Sequence, residues 1–245
     1  MKWIASFPAN IERGIQRASA AIILNSLETG RPEALIEGSL ISAARTAASA
    51  ALAAELLTRD RRPDGLSLIG CGVINLEILR HVHAALPGLT SLAVYDSSPE
   101  RSAEFAARAA EVVPGARVLV LDSAEKALAA HGLVAIATSA IEPHLDLGAA
   151  EPGTVVLHIS LRDLLPESLP GAYNIVDDTE HALRERTSST SPSGRRATAT
   201  SSPRRSAGCS WTRTPGRAVA SSPAGRSSTP RSASVSSTSP WPTTS

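Results

Sequence analysis

The sequence predicts an α/β fold: a Rossmann-like, doubly wound parallel sheet preceded by a smaller, incomplete β-rich segment and followed by a tail without a core. Three observations predict it. Between residues 66 and 176, short apolar runs alternate with helical patterns and short loops, the signature of parallel strands joined by right-handed crossovers. Ser67-Leu68-Ile69 runs into Gly70-Cys71-Gly72, and a helical segment follows. A second apolar run, Leu92-Ala93-Val94-Tyr95, ends on Asp96, twenty-six positions after Gly70. The chain divides at 1–58, 59–186 and 187–245.

The elements follow in order. Lys2-Trp3-Ile4, Ala20–Leu24 and Ala34–Glu37 read as strands, with Asn10 as the cap of a turn and Leu27-Glu28-Thr29-Gly30-Arg31-Pro32 as a turn signal. Ser39–Leu57 repeats Leu40, Ile41, Ala44, Ala48, Ala51, Leu52 and Leu56 at helical spacing. Its arginine, Arg45, stands among small residues, where a close-packed guanidinium requires an anionic partner. Strands are expected at 66–70, 91–95, 117–121 and 133–137, and helices at 73–86, 99–112 and 123–131. Two more strands follow, at Thr154–Ile159 and at Tyr173–Val176, the latter ending on Asp177-Asp178.

Gly-x-Gly between strand and helix, with a carboxylate at the next strand end, is the layout of a dinucleotide-binding βαβ unit. Gly70 makes the tight turn, Gly72 lets backbone approach a pyrophosphate at the helix N-terminus, and Asp96 can accept from ribose hydroxyls. Asn75 stands where the fingerprint has its third glycine. A carboxylate at Asp96, followed by Ser97, repels a 2′-phosphate, so the expected cofactor is NAD; Arg101 is the feature that fits the phosphorylated form. Ligands of such sheets bind at the carboxyl ends of the strands. That rule selects Gly70, Asp96, Thr138-Ser139, Ser160 to Asp163, and Asp177. His158 reads as a core histidine, with proton carriage as the alternative.

Composition separates body from tail. From Thr187 to Ser245, only Cys209, Trp211, Val219, Val235 and Trp241 fall outside Ser, Thr, Pro, Arg, Gly and Ala. Eight of the 24 basic residues lie there and none of the 23 acidic ones, so residues 1–186 carry a formal charge of −7. The basic tail has no interleaved aromatics in a binding pattern, so no nucleic-acid partner is expected. Cys71 and Cys209 make neither a disulfide framework nor a metal site. No leader and no run long enough to span a bilayer are read, which predicts a cytoplasmic protein without a membrane partner.

Several stretches together resemble the ornithine cyclodeaminase/μ-crystallin family: Lys2-Trp3-Ile4 with Phe7-Pro8-x-Asn10 and Gly14; Leu27-x-Thr29-Gly30-x-Pro32; Ser42-Ala43-Ala44-Arg45-Thr46-Ala47-Ala48; and Gly70-Cys71-Gly72. Arg17-Ala18-Ser19-Ala20, Glu37-Gly38-Ser39-Leu40-Ile41-Ser42 and His158-Ile159-Ser160-Leu161-Arg162-Asp163 are most similar to its branch that makes 2,3-diaminopropionate. The resemblance implies that 1–58 is part of a substrate and dimerisation domain with its connecting helix. It implies NAD-dependent oxidative cleavage of N-(2-amino-2-carboxyethyl)-L-glutamate to 2-oxoglutarate and 2,3-diaminopropionate. Lys2 and Arg45 would hold substrate carboxylate, with Lys2 and Asp163 catalytic and Asp163 the acid/base. Arg17, Arg45, Val73, Ile74, Thr138 and Ser139 match cofactor-contacting positions. Ornithine cyclodeamination, alanine or imino-acid dehydrogenation, and non-catalytic binding of the μ-crystallin kind are alternatives on the same scaffold. Family members are homodimers that act on small amino-acid substrates.

Two departures set further expectations. The family has a β-rich segment before the lysine, whereas only Met1 precedes Lys2; its C-terminal helices and glycine-rich strand are replaced by Thr187–Ser245. The tail reads as the family ending out of frame: shifted by one base, Ser239-Pro240-Trp241-Pro242-Thr243-Thr244-Ser245 becomes a Leu-Ala-Val-Ala-Asp-Asp-Leu type of sequence. Read in frame, its composition cannot build a core and predicts disorder. The strands at 2–37, without partners on either side, are expected to leave apolar faces exposed.

Overall fold

The computed structural model describes residues 1–160, 162–176 and 217–221. Strands β1 (Lys2–Ser6), β2 (Ala18–Asn25) and β3 (Pro32–Glu37) form an antiparallel sheet in that order. A 3-10 turn over Pro8–Arg13 joins β1 to β2 and is capped by Phe7, not by Asn10. Asn10 lies inside the turn and closes it, its side-chain amide donating to the Gln16 carbonyl at 3.3 Å.

Helix α1 (Ser39–Leu57) buries Ala43, Thr46, Ala47, Ala50, Ala51 and Ala54 and packs along α2 (Val73–Ala85). Small side chains at i, i+3, i+4 and i+7 let the two helix backbones approach closely. By length and composition α1 could cross a bilayer. The reading that no run is long enough was therefore too strict, although one face of α1 packs here against α2.

The second sheet holds β4 (Gly65–Ile69), β5 (Ser91–Tyr95), β6 (Arg117–Val120), β7 (Leu133–Ile136), β8 (Val155–His158), β9 (Ala172–Val176) and β10 (Arg217–Ser221), in the order β6-β5-β4-β7-β8-β10-β9. Every pairing in it is parallel. Helices α3 (Pro99–Val112) and α4 (Ala124–Ala130) complete the crossovers. Successive strands run outward from β4 through β5 to β6; the chain then returns to place β7 on the other side of β4. That reversal opens a crevice above the carboxyl ends of β4 and β7.

Buried strands are apolar on both faces, and the period of two sorts their side chains into two cores. Leu66, Leu68, Leu92, Val94, Leu133, Ala135, Val155 and Leu157 join the α1–α2–α3 side. Ile69, Val134, Ile136 and Val156 join Ala127 and Leu128 of α4 with Leu145, Leu147, Leu164 and Leu169.

One element departs from the reading of the tail as structureless. Arg217–Ser221 inserts as β10 between β8 and β9, pairing in register with both. Its backbone satisfies two strand edges at once, a gain that composition does not reveal. Asp177 and Asp178, Cys209, and the segments on which the out-of-frame reading rests lie outside the described residues.

Candidate functional site

The glycine turn sits where β4 passes into α2. Gly70 has φ 93°, and a Cβ there would lie 2.5 Å from the Ala137 carbonyl oxygen. The turn therefore presses against the end of β7, at the strand-order reversal. Gly72 caps α2 in an extended conformation without a side-chain cap, and a Cβ added to it meets nothing within 4 Å. Val73, 41% exposed, and half-buried Ile74 begin the helix. A thirteen-residue helix thus presents its positive end, with open space above Gly72. These residues fit a pyrophosphate group.

Asp96 ties this turn to β5. Its Oδ2 accepts from the Cys71 amide at 2.8 Å and lies 3.5 Å from the Arg101 guanidinium. Its Oδ1 accepts from the Ser98 amide at 3.1 Å and the Ser97 hydroxyl at 3.5 Å. The carboxylate is at the expected strand end, already surrounded by protein donors. Burial, and after it the charge of Asp96, pushes the Cys71 thiol up to about 11. Asn75, fully buried, donates to the Ile69 carbonyl at 2.8 Å and the Gly70 carbonyl at 2.7 Å. It latches helix to strand where the fingerprint places a glycine.

A second group forms beyond β7 and β8. The Asp163 side chain is fully buried and accepts from the hydroxyls of Thr138 and Ser160. His158 Nε2 lies 3.2 Å from its Oδ2. Burial works to raise Asp163, but the bonds from His158, Ser160 and Thr138 together outweigh it and hold the carboxyl below the usual carboxylate range. The Asp163 carbonyl accepts from the amides of His144 and Leu145, anchoring the loop to the segment after β7. Ser139 is exposed beside Thr138.

A third group joins the small sheet to α1. Lys2 Nζ donates to Ser42 Oγ at 2.8 Å. Burial, and then the nearby positive charge of Arg45, draws the Lys2 ammonium below its ordinary value. Arg45 itself is exposed on α1, near enough for its charge to act on Lys2. Arg17 stays on the small-sheet side, its Nε donating to Ser6 Oγ at 3.0 Å. Among the described residues, no group of three or more His, Cys, Asp or Glu is placed to hold a metal.

The structure thus brings Gly70, Gly72, Asp96 and Ser97 together, Thr138 with Asp163, and Lys2 with Arg45. Sequence reasoning missed the latch made by Asn75 and the contact between His158 and Asp163. For Asn75 the signal was present, in an amide at a glycine position. For His158 it was the His-x-x-x-x-Asp spacing across a strand end, which is weak without the fold.

Comparison with known proteins adds four findings. The family model described as ornithine cyclodeaminase/mu-crystallin matches residues 1–163. N-((2S)-2-amino-2-carboxyethyl)-L-glutamate dehydrogenase of Staphylococcus aureus is 32% identical over 188 residues, 76% of this chain and 56% of that protein. Alanine dehydrogenase of Archaeoglobus fulgidus is 30% identical over 190 residues, 74% of this chain and 56% of that protein. Among solved structures, an archaeal alanine dehydrogenase dimer with bound NAD is similar at a TM-score of 0.66 and 27% identity, covering 74% of this chain and 57% of that one. The chain spans little more than half the length of the curated relatives it matches.

Proposed function

Because this chain belongs to the ornithine cyclodeaminase/mu-crystallin family, we propose that it binds NAD over the Gly70–Gly72 turn and serves the oxidative cleavage of N-(2-amino-2-carboxyethyl)-L-glutamate to 2-oxoglutarate and 2,3-diaminopropionate. The observation that carries the reading is the empty space above Gly72 at the uncapped start of α2, on the same strand-end edge as the Thr138–Asp163 group. The similarity to the staphylococcal dehydrogenase supports the choice of substrate.

NAD, when bound, supplies the hydride acceptor. The first-turn amides of α2 and the backbone of Gly72 hold its pyrophosphate, and Asp96 with Ser97 faces the adenosine ribose. Val73, Ile74 and Thr138-Ser139 complete its surroundings. Lys2 and Arg45 bind a substrate carboxylate, Arg45 through its planar fork. Asp163 takes a proton from the attacking water and returns one to the departing amine. Full-length assembly is proposed to be dimeric.

Titration of NAD⁺ and NADH into the purified chain, with Gly72→Asp alongside, tests the first half. Saturable binding that the carboxylate at position 72 abolishes is expected; equal binding by both overturns the placement. Product analysis tests the second half, with 2-oxoglutarate and 2,3-diaminopropionate expected. Pyruvate from alanine would instead favour the alanine dehydrogenase reading, which the Archaeoglobus relative supports. Cofactor binding without turnover would favour a binding protein, a reading that the complete burial of Asp163 supports.

A further inference from the structure

We propose that His158 is the positioning residue of Asp163 and shares with it the proton that the cleavage releases. The inference rests on the acid/base role given to Asp163 above and goes beyond it by assigning a partner and a proton store.

The geometry is specific. His158 is the last residue of β8 and 4% exposed, and Asp163 lies five residues on across the loop, 0% exposed. One ring nitrogen, Nε2, faces two groups of opposite character. The Asp163 carboxylate oxygen, an acceptor, is 3.2 Å away, and the Asp163 backbone amide, a donor, is 3.3 Å away. A nitrogen bearing hydrogen satisfies only the first, and a bare nitrogen only the second. Each protonation state of the ring therefore has a partner waiting.

The proton balance follows. Oxidation of the C–N carbon by hydride loss, addition of water and release of the amine yield one proton besides ketone and amine. Asp163 takes that proton from water at a carboxylate oxygen. It passes along the Oδ2–Nε2 contact to a neutral ring bearing hydrogen on Nδ1, and leaves a carboxylate beside an imidazolium. The new Nε2–H then donates to Oδ2, and the amide contact is given up. Thr138 and Ser160 donate to the same carboxylate throughout and keep it in place.

The surroundings favour exchange within this pair. The residues in register with His158 are Ile136 on β7 and Ser221 on β10. His158 shares its face of β8 with Val156, the side packed by α4 and by the segments of Leu145, Leu147, Leu164 and Leu169, whose charged residues are Glu125, Lys126, Asp146 and Glu167; α1, with Arg45 and Glu55, covers the opposite face. Among the described residues, Asp163 is the ionisable group bonded to the ring.

The test is histidine and carboxyl NMR of the full chain, in which His158 is one of six histidines and is assigned by its loss in His158→Gln. Glutamine keeps a donor toward Oδ2 but takes up no proton. In the wild type the Asp163 carboxyl signal is expected to show an inflection at the His158 midpoint. His158→Gln is expected to abolish that inflection. An Asp163 signal without that inflection, or one in which it survives in His158→Gln, overturns the proposal. Where turnover is measured, His158→Gln is expected to keep NAD affinity and KM, to lose about 100-fold in kcat at neutral pH, and to lose one limb of the pH profile. An unchanged profile also overturns it. Linked titration in a chain that binds no NAD would leave the pair standing and sink the proposed function instead.

Discussion

Position 70 requires a positive φ of 93° and tolerates no Cβ, because the Ala137 carbonyl oxygen stands 2.5 Å from where that atom would lie. Gly70→Ala is expected to cost about 2–3 kcal/mol, read as a lowered urea midpoint at unchanged slope. Gly72 lies in open space at an ordinary φ of −101°. Gly72→Ala is therefore expected to leave stability within about 0.5 kcal/mol of wild type while weakening NAD binding. A stability loss at 72 as large as at 70 would mean that the space above it is filled by protein. Between them, Cys71 is held protonated, its pKa raised to about 11. Peptide mapping after iodoacetamide at pH 8 is expected to show it alkylated on the order of 100-fold more slowly than a free thiol. The glycines were legible in the sequence because backbone demands select residue type locally. Asn75 was not, because its role is fixed by two carbonyls that meet it only in the folded turn.

Among elements, β4 and β5 are joined by more than their ladder. The His131 ring, at the C-terminal end of α4, bridges Ser67 of β4 and Ser91 of β5, each hydroxyl at 3.0 Å. The glycine at 65 makes room, since a Cβ there would come within 2.0 Å of the ring. Burial draws His131 below its ordinary value, and Asp64 only partly offsets this. The folded state therefore favours the neutral ring. Its contribution to stability is present above the ordinary histidine pKa of about 6.5 and is lost as pH falls through the lower folded value. Unfolding free energy is expected to decline on acidification below about pH 6.5, and His131→Gln to flatten that decline. Ser67→Ala is expected to cost about 1 kcal/mol. An acid decline unchanged in the glutamine variant would assign it elsewhere. The strands and helices themselves were readable because alternation and spacing are local patterns. The His131 bridge was not, since it joins residues 64 and 40 positions apart. Strand β10 escaped for a similar reason: its partners, β8 and β9, end more than forty residues before it begins.

For the whole molecule, the central strands β4, β5, β7 and β8 of the parallel sheet are buried on both faces, while the small sheet is not. Trp3 is 73% and Leu35 75% exposed, and they share the face that also holds Ala21 and Ile23 of β2. Phe7, Leu24, Leu40, Ile41 and Leu52 add exposed apolar area on the adjoining turn, on β2 and along α1. Surface of this kind drives association in water. Sedimentation is expected to show concentration-dependent self-association of the wild type, reduced in the double variant Trp3→Glu, Leu35→Lys. Equal behaviour of the two would locate any contact elsewhere. The alanine seam of α1 has a mechanical consequence as well. Helices that meet through methyl groups interlock shallowly and can slide over one another with little change of side-chain rotamer. Lys2 is bonded to Ser42 of α1, and Arg45 rides on the same helix. A small axial shift of that rod therefore moves Arg45 and the Ser42 end of the Lys2 bond as one body.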